Sequence, residues 1–191
     1  MHKITIKKQS ELFEEIKPFD LKNNPFFLFA RDWMLITAQK GDCVNTMTVG
    51  WGGLGVMWQK NVVFVAVRPE RYTKEFLDAS ETFSLTAFPN DKEHKKMLAY
   101  CGTVSGRDED KIAKSNLTVV YDGDTPYFEE AVLSIQCKRI MDTTFLESDF
   151  HGNEAYTKKF YGGENQASGE GGGYHHLYIA EIEKILVKKN S

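Results

Sequence analysis

From Trp33 onward the chain reads as a series of short segments whose apolar and polar residues alternate with a period of two. Glu81–Phe88 is the cleanest, with Phe83, Leu85 and Ala87 on one face and Thr82, Ser84 and Thr86 on the other. Leu133–Ile140 repeats it, setting Leu133, Ile135 and Cys137 against Ser134, Gln136 and Lys138. Trp33–Ala38 and Val44–Trp51 are two more candidate strands, and Asn61–Val67, nearly continuous and β-branched, fits a strand buried on both faces. The stretch Tyr174–Val187 is long, and its alternation slips near Lys184, where a bulge or bend is expected. Helical signals are few. One helix is predicted at Thr73–Ala79 with Thr73 as N-cap, and another at Asp91–Cys101, capped by Asp91 and stopped by Gly102. A third is expected from Asp108 to about Ser115. Many strands broken by single helices do not fit a doubly wound sheet. They fit a mainly β, antiparallel barrel with short helices packed outside.

At 191 residues the chain is expected to be a single domain, with residues 1–22 as a lead-in and 162–173 as a Gly-rich surface loop. Lys and Arg number 24 against 27 Asp and Glu, so no nucleic-acid partner is expected. The longest clearly apolar run, Val62–Val67, is six residues, far short of the roughly 20 a spanning helix needs, and no membrane partner is expected. The N-terminal residues lack the apolar run of a secretory signal, and Cys43, Cys101 and Cys137 form neither a disulfide framework nor a ligand pair. The expected location is the cytoplasm. His175 and His176 face opposite ways on a strand, so they do not converge on one ion, and no metal site is expected.

Three segments carry possible chemistry. Asn45-Thr46-Met47-Thr48-Val49-Gly50-Trp51-Gly52-Gly53 sets hydroxyls beside glycine-freed backbone, as a phosphate oxygen or ring carbonyl requires, though a strand and a glycine turn would look the same. Arg68-Pro69-Glu70-Arg71-Tyr72-Thr73 places two guanidiniums at a strand-to-helix junction, either a phosphate site or an exposed turn. Cys101-Gly102-Thr103-Val104-Ser105-Gly106-Arg107-Asp108 repeats hydroxyl, glycine and arginine near a helix start. Glu109-Asp110-Lys111 reads as a solvent-facing charge run, His94 as solvated, and Cys101 as either a redox thiol beside the loop or, the more frequent case, a small buried hydrophobe.

The ordered set NTMTVGWGG, RPERYT, CGTVSGRDEDK and YHHLYIAEIEKIL resembles the flavin reductase-like family over about Asn24 to Val187. The resemblance implies a split β-barrel, a six-stranded antiparallel Greek key, in a homodimer with one FMN per subunit near the dimer interface. It further implies an NAD(P)H:flavin oxidoreductase that passes hydride from a nicotinamide to flavin N5, with an electron acceptor and in some members a partner monooxygenase. Transferred by motif, Thr46, Met47, Thr48, Trp51 and Gly52 would line the flavin. Arg71, Tyr72 and Thr73 would hold its phosphate with Arg68 nearby, and Ser105, Gly106 and Arg107 would close the ribityl or phosphate side. His175 would approach the ring or the nicotinamide pocket. Gly50 departs from the serine the resemblance implies. No GxGxxG follows a strand, so a nicotinamide would have to stack on the flavin without a Rossmann fold. Two other readings stand beside this one: an FMN-binding electron carrier or sensor without reductase turnover, and a barrel domain that binds no cofactor.

Overall fold

The computed structural model describes residues 12–162 and 173–189. The first half of the expected lead-in, residues 1–11, and all but the ends of the expected Gly-rich loop lie outside them. Ten strands are present: β1 (Phe13–Ile16), β2 (Met34–Lys40), β3 (Cys43–Val49), β4 (Gly52–Met57), β5 (Lys60–Val67), β6 (Thr82–Ala87), β7 (Val119–Asp122), β8 (Thr125–Phe128), β9 (Leu133–Thr144) and β10 (His176–Lys188). Four helices matter for the site: α1 (Tyr72–Ala79), α2 (Lys92–Thr103), α3 (Lys111–Lys114) and α4 (Glu154–Tyr161).

One antiparallel sheet runs β3-β2-β6-β9-β10-β5-β4, with β1 added to β10, while β7 and β8 form a separate hairpin. β3 and β4 stand at opposite ends of this path, yet only Gly50 and Trp51 separate them in sequence. Two residues reach about 7 Å when fully extended. The sheet must therefore curl until its ends meet, which gives the split barrel. Its interior is filled by Met34, Ile36, Val63, Val65, Phe83, Leu85, Ile135, Tyr178 and their neighbours, with Phe76 and Leu77 of α1 plugging one side. A second cluster beneath α2, including Leu35, Leu98, Cys101 and Phe128, packs on the outer face.

The six strands read from alternation are all present, within a few residues of their expected ends. The main sheet has eight strands rather than six, because β1 and β4 extend it. β10 shifts register at Ile182/Lys184, as the slipped alternation predicts, and again at Ile179/Ala180. The helix caps differ from expectation. α1 begins at Tyr72 with Arg71 as the extended N-cap, and Thr73 lies inside it. Asp91 does cap α2, accepting from the backbone N–H groups of Glu93 and His94, but Gly102 belongs to its last turn and Val104 ends it. A Cβ at Gly102 would lie 3.1 Å from Thr48 Cβ, so the glycine serves packing against β3 rather than helix termination. α3 is a short piece capped by Asp110. His94 is half-buried rather than solvated, stacked on Phe88 with Nδ1 at 2.8 Å from Asp91. No described helix is long and apolar enough to cross a membrane.

The junction between β3 and β4 is built on close approach. A Cβ on Gly50 would lie 3.2 Å from Phe29 O and 3.3 Å from the Trp33 ring. A Cβ on Gly52 would run into the Phe64 carbonyl oxygen and the Phe29 ring, whereas one on Gly53 would meet nothing. Gly52→Ala is expected to destabilise the fold by about 2–3 kcal/mol, since the colliding group is main chain, and Gly53→Ala by under about 0.5 kcal/mol. Thermal unfolding followed by circular dichroism checks the pair: the first melts roughly 5 °C or more below wild type and the second with it.

Candidate active site

The curled sheet sets the end of β3 beside the end of β5, and the loop Arg68–Arg71 then turns into α1. A cleft of about 200 Å³ opens there between Met47, Thr48, Val49, Gly50, Trp51, Ala66, Arg68, Arg71 and His175. No carboxylate lines it. Arg68 donates from Nη2 to Phe160 O at 2.9 Å and lies 5.7 Å over the Tyr161 ring. Arg71 donates from Nη1 to Gly102 O at 2.9 Å. Among the described residues neither guanidinium forms an ion pair, which leaves two cations at one cleft without a counter-charge. Thr48 spends its hydroxyl proton on Leu98 O at 2.5 Å, so its oxygen lone pairs are what it can offer a ligand.

Met47 and Arg71 also line a second cleft of about 320 Å³, formed with Glu70, Tyr72, Thr73, Thr103, Val104, Ser105, Gly106, Arg107, Asp108 and Lys111. The two clefts thus form one trough. The far end offers the start of α1, where the Lys74 N–H bonds back to Arg71 O at 2.9 Å and the Tyr72 and Thr73 N–H groups precede the first i→i−4 bond, together with the hydroxyls of Thr73 and Ser105. Thr73 is positioned by Asn45, whose Nδ2 donates to Thr73 Oγ1 at 3.0 Å. Gly106 makes room for Asn45, because a Cβ there would overlap its side-chain amide. Ser105 Oγ accepts from Arg107 N at 3.2 Å and tightens the loop.

Sequence reasoning misplaced Lys111. Instead of facing solvent, it is 4% exposed, and its Nζ donates to Cys101 O at 2.9 Å and Val104 O at 3.1 Å. It thereby satisfies carbonyls at the C-terminal end of α2, and burial lowers its pKa to about 8. Arg107 reaches the trough with its charge already partnered, donating to Glu75 Oε1 at 2.6 Å with its guanidinium 4.6 Å over Tyr72. Lys40 and Arg107 together hold the Glu75 carboxyl below its ordinary range. Cys101 is buried as expected, and burial pushes its thiol pKa up.

Two further expectations are corrected. Thr46 does not line the trough with its side chain: the residue is fully buried, its hydroxyl donating to Ile36 O at 3.0 Å and pairing with Thr37 at 2.9 Å across β2 and β3. Gly52 lies outside both clefts and serves the barrel seam instead. Met47, Thr48, Trp51, Arg68, Arg71, Tyr72, Thr73, Ser105, Gly106, Arg107 and His175 all border the trough.

His175 sits just before β10, beside the Arg68 end of β5, and is 6% exposed. Its ring stacks on Trp51 with centroids 4.6 Å apart, and Nδ1 lies 3.0 Å from Tyr161 Oη. Trp51 in turn meets Phe160 edge-on at 5.2 Å. Phe160 and Tyr161 come from α4, a helix absent from the expectations drawn above; its best sequence signal is the Tyr156, Phe160 spacing of four ahead of the glycines. Burial, then Arg68 and Arg71, lowers the His175 pKa to about 4.

A sequence model described as Flavin reductase like domain matches residues 26–191. The chain belongs to this family. A search of curated proteins finds no match. Among solved structures, a flavoredoxin from Methanosarcina acetivorans is 23% identical with a TM-score of 0.60, the alignment covering 90% of this chain and 74% of that one. An FMN-binding domain of a flavin reductases-like enzyme from Shewanella baltica is 15% identical with a TM-score of 0.62, covering 92% and 76%. Flavoredoxin of Desulfovibrio vulgaris is 20% identical with a TM-score of 0.59, covering 90% and 76%. At these identities the likeness is one of fold, and it agrees with the split barrel described above.

The His175 shift carries a pH signature. The folded-state pKa of about 4 lies below the ordinary 6.5, so the unfolded chain takes up the proton first as pH falls. This stabilising contribution is complete above pH 6.5 and is lost on acidification towards pH 4, by up to about 3 kcal/mol. Urea unfolding at pH 7 and pH 4.5 checks it: the drop in stability should be smaller in His175→Gln than in wild type.

Proposed function

We propose that the chain is an FMN-binding oxidoreductase that takes hydride from a reduced nicotinamide, NADH or NADPH. The observation that supports this most is the single trough with two chemically different ends. One end has Met47, Val49 and the half-exposed Trp51 beside two guanidiniums that form no ion pair among the described residues, which suits a planar ring system with polar edges. The other end has a helix N-terminus, Thr73, Ser105 and Arg71, which suits a phosphate. Arg71 borders both ends, as a ligand carrying ring and phosphate on one chain requires.

In this reading the residues have separate tasks. Arg71, Thr73 and Ser105 bind the phosphate, while Lys111 keeps the 103–108 loop closed from beneath. Arg68 and Arg71 place positive charge where electron density rises on reduction. Trp51 and Met47 exclude water from the ring end. When bound, FMN supplies the two-electron chemistry itself, so the protein needs to orient and to tune more than to transfer protons. His175, uncharged at neutral pH, is not positioned to act as a strong acid.

We also propose that the protein works as a homodimer. Phe26, Trp58 and Val56 are 81%, 53% and 65% exposed, and β4 is an edge strand that pairs, among the described residues, with β5 alone. A second copy covering them by twofold symmetry would bury both.

Two measurements test the proposal. Arg71→Ala should weaken FMN binding by about 2–3 kcal/mol, read as quenching of flavin fluorescence on titration; unchanged affinity contradicts the phosphate assignment. Mixing the flavin-loaded protein with NADH or NADPH in a stopped-flow cell should bleach the flavin bands. Binding without bleaching would support the carrier reading instead, and no binding at all would leave only the barrel without cofactor.

A further inference from the structure

Asn45 is a polar residue on an apolar face. On β3 it shares its side with Met47 and Val49, both part of the barrel interior, and it is 4% exposed. Burying an amide there costs free energy unless its groups are bonded, a cost that a leucine of nearly the same size would not carry. Asn45 borders neither cleft of the trough. It lines a third cavity of about 450 Å³, with Asp42, Cys43 and Asp108, which shares Gly106 with the trough. Its amide nevertheless meets both walls of the phosphate end. Nδ2 donates to Thr73 Oγ1 at 3.0 Å on the α1 side, and Oδ1 fills the space that a Cβ on Gly106 would take.

The polarity of the Asn45–Thr73 bond decides what Thr73 presents. An amide nitrogen only donates, so the threonine oxygen accepts and the hydroxyl proton is not spent on Asn45. Thr73 is 1% exposed, and its hydroxyl has no other hydrogen-bond partner among the described residues. It borders the trough beside Arg71 and Ser105, so a ligand oxygen there is an acceptor within its reach. Thr48, at the ring end, has the opposite polarity, because its proton goes to Leu98 O and leaves lone pairs for a ligand.

We propose that Asn45 is a positioning residue that sets Thr73 as a hydrogen-bond donor to an anionic oxygen of the ligand's phosphate. The phosphate rests on the flavin-site reading; the polarity of Thr73 stands on the protein's own geometry. The phosphate end then presents only donors from three sources: the Arg71 guanidinium, the Thr73 hydroxyl and the main-chain N–H groups at the start of α1. Such a set favours an anion over an uncharged hydroxyl in the same place. Asn45 acts through Thr73, so its loss is felt by FMN and not by riboflavin, which has the same ring and side chain but ends in a hydroxyl. A residue that merely spaced α1 from the 103–108 loop would behave differently, since a leucine fills the same room.

Nitrogen-15 spectra of the ligand-free protein test the bond without any flavin. One Asn45 Nδ2 proton should be protected from solvent exchange in wild type, and the protection should fall in Thr73→Val. An unprotected amide in wild type overturns the proposal whether or not the variant folds, and so does unchanged protection in a folded Thr73→Val. FMN and riboflavin are then titrated into wild type, Asn45→Leu, Thr73→Val and the double variant, followed by quenching of flavin fluorescence. Asn45→Leu should bind FMN roughly fivefold more weakly and riboflavin as wild type does. The FMN loss should vanish where Thr73 is already Val. An equal loss for both flavins, a loss that persists in the Thr73→Val background, or no loss at all overturns the positioning role. Wild type that binds neither flavin counts against the proposed function instead, and the spectra still decide the polarity of Thr73.

Discussion

The two-residue link between β3 and β4 is the constraint on which the rest depends. Because Gly50 and Trp51 must join opposite ends of one sheet, the sheet cannot lie open, and its closure brings the last residues of β3 against the last of β5. Met47, Thr48, Trp51 and Arg68 are neighbours for that reason alone. The glycines at the seam are consequences of the same closure. Phe29 and Trp33 press on position 50, and Phe64 O and the Phe29 ring on position 52, so a side chain at either would have to shift main chain or ring. The Cβ of the serine that the family resemblance implies at position 50 would meet Phe29 O and the Trp33 ring.

Charge gives the trough its direction. Three cations border the trough without forming an ion pair among the described residues: there Arg68 and Arg71 hydrogen-bond to main-chain carbonyls, and Lys111 is buried against two more. A cation held by carbonyl dipoles keeps most of its charge available, whereas one locked to a carboxylate does not. Arg107 shows the contrast. Its motif position is equivalent, but Glu75 already neutralises it, and Lys40 joins the same carboxylate. The field felt by an anion therefore centres on Arg71, and the cost of assembling this charge is met by the fold before any ligand arrives.

The strands were legible because burial on one face imposes a period of two on the sequence, and β6, β9 and β10 show it cleanly, even to the register shift near Lys184. β4 was not legible, since half of its residues are glycines and its hairpin to β5 turns through Trp58 and Gln59, both at positive φ, instead of an Asn-Gly pair. The β7–β8 hairpin did carry a usable signal, Val119-Val120-Tyr121 leading into Asp122-Gly123, with Gly123 at φ 56°. At the site, the arginines and hydroxyls were found from their motifs. What the sequence concealed was long-range: that Lys111 would be drawn under α2, that Thr46 would turn to Thr37, and that α4 would bring Tyr161 to His175. None of these follows from spacing, because each depends on a partner seven or more residues away, or on a carbonyl left over at a helix end.

The central claim is that one ligand spans the trough, ring at Trp51 and phosphate at the start of α1. A crystal structure of the protein with FMN tests it most directly. The account predicts phosphorus density between Arg71–Thr73 and Ser105–Arg107, with the ring system against Met47, Thr48 and Trp51. A phosphate bound elsewhere, or a ring that leaves the Arg68–His175 cleft empty, would contradict it.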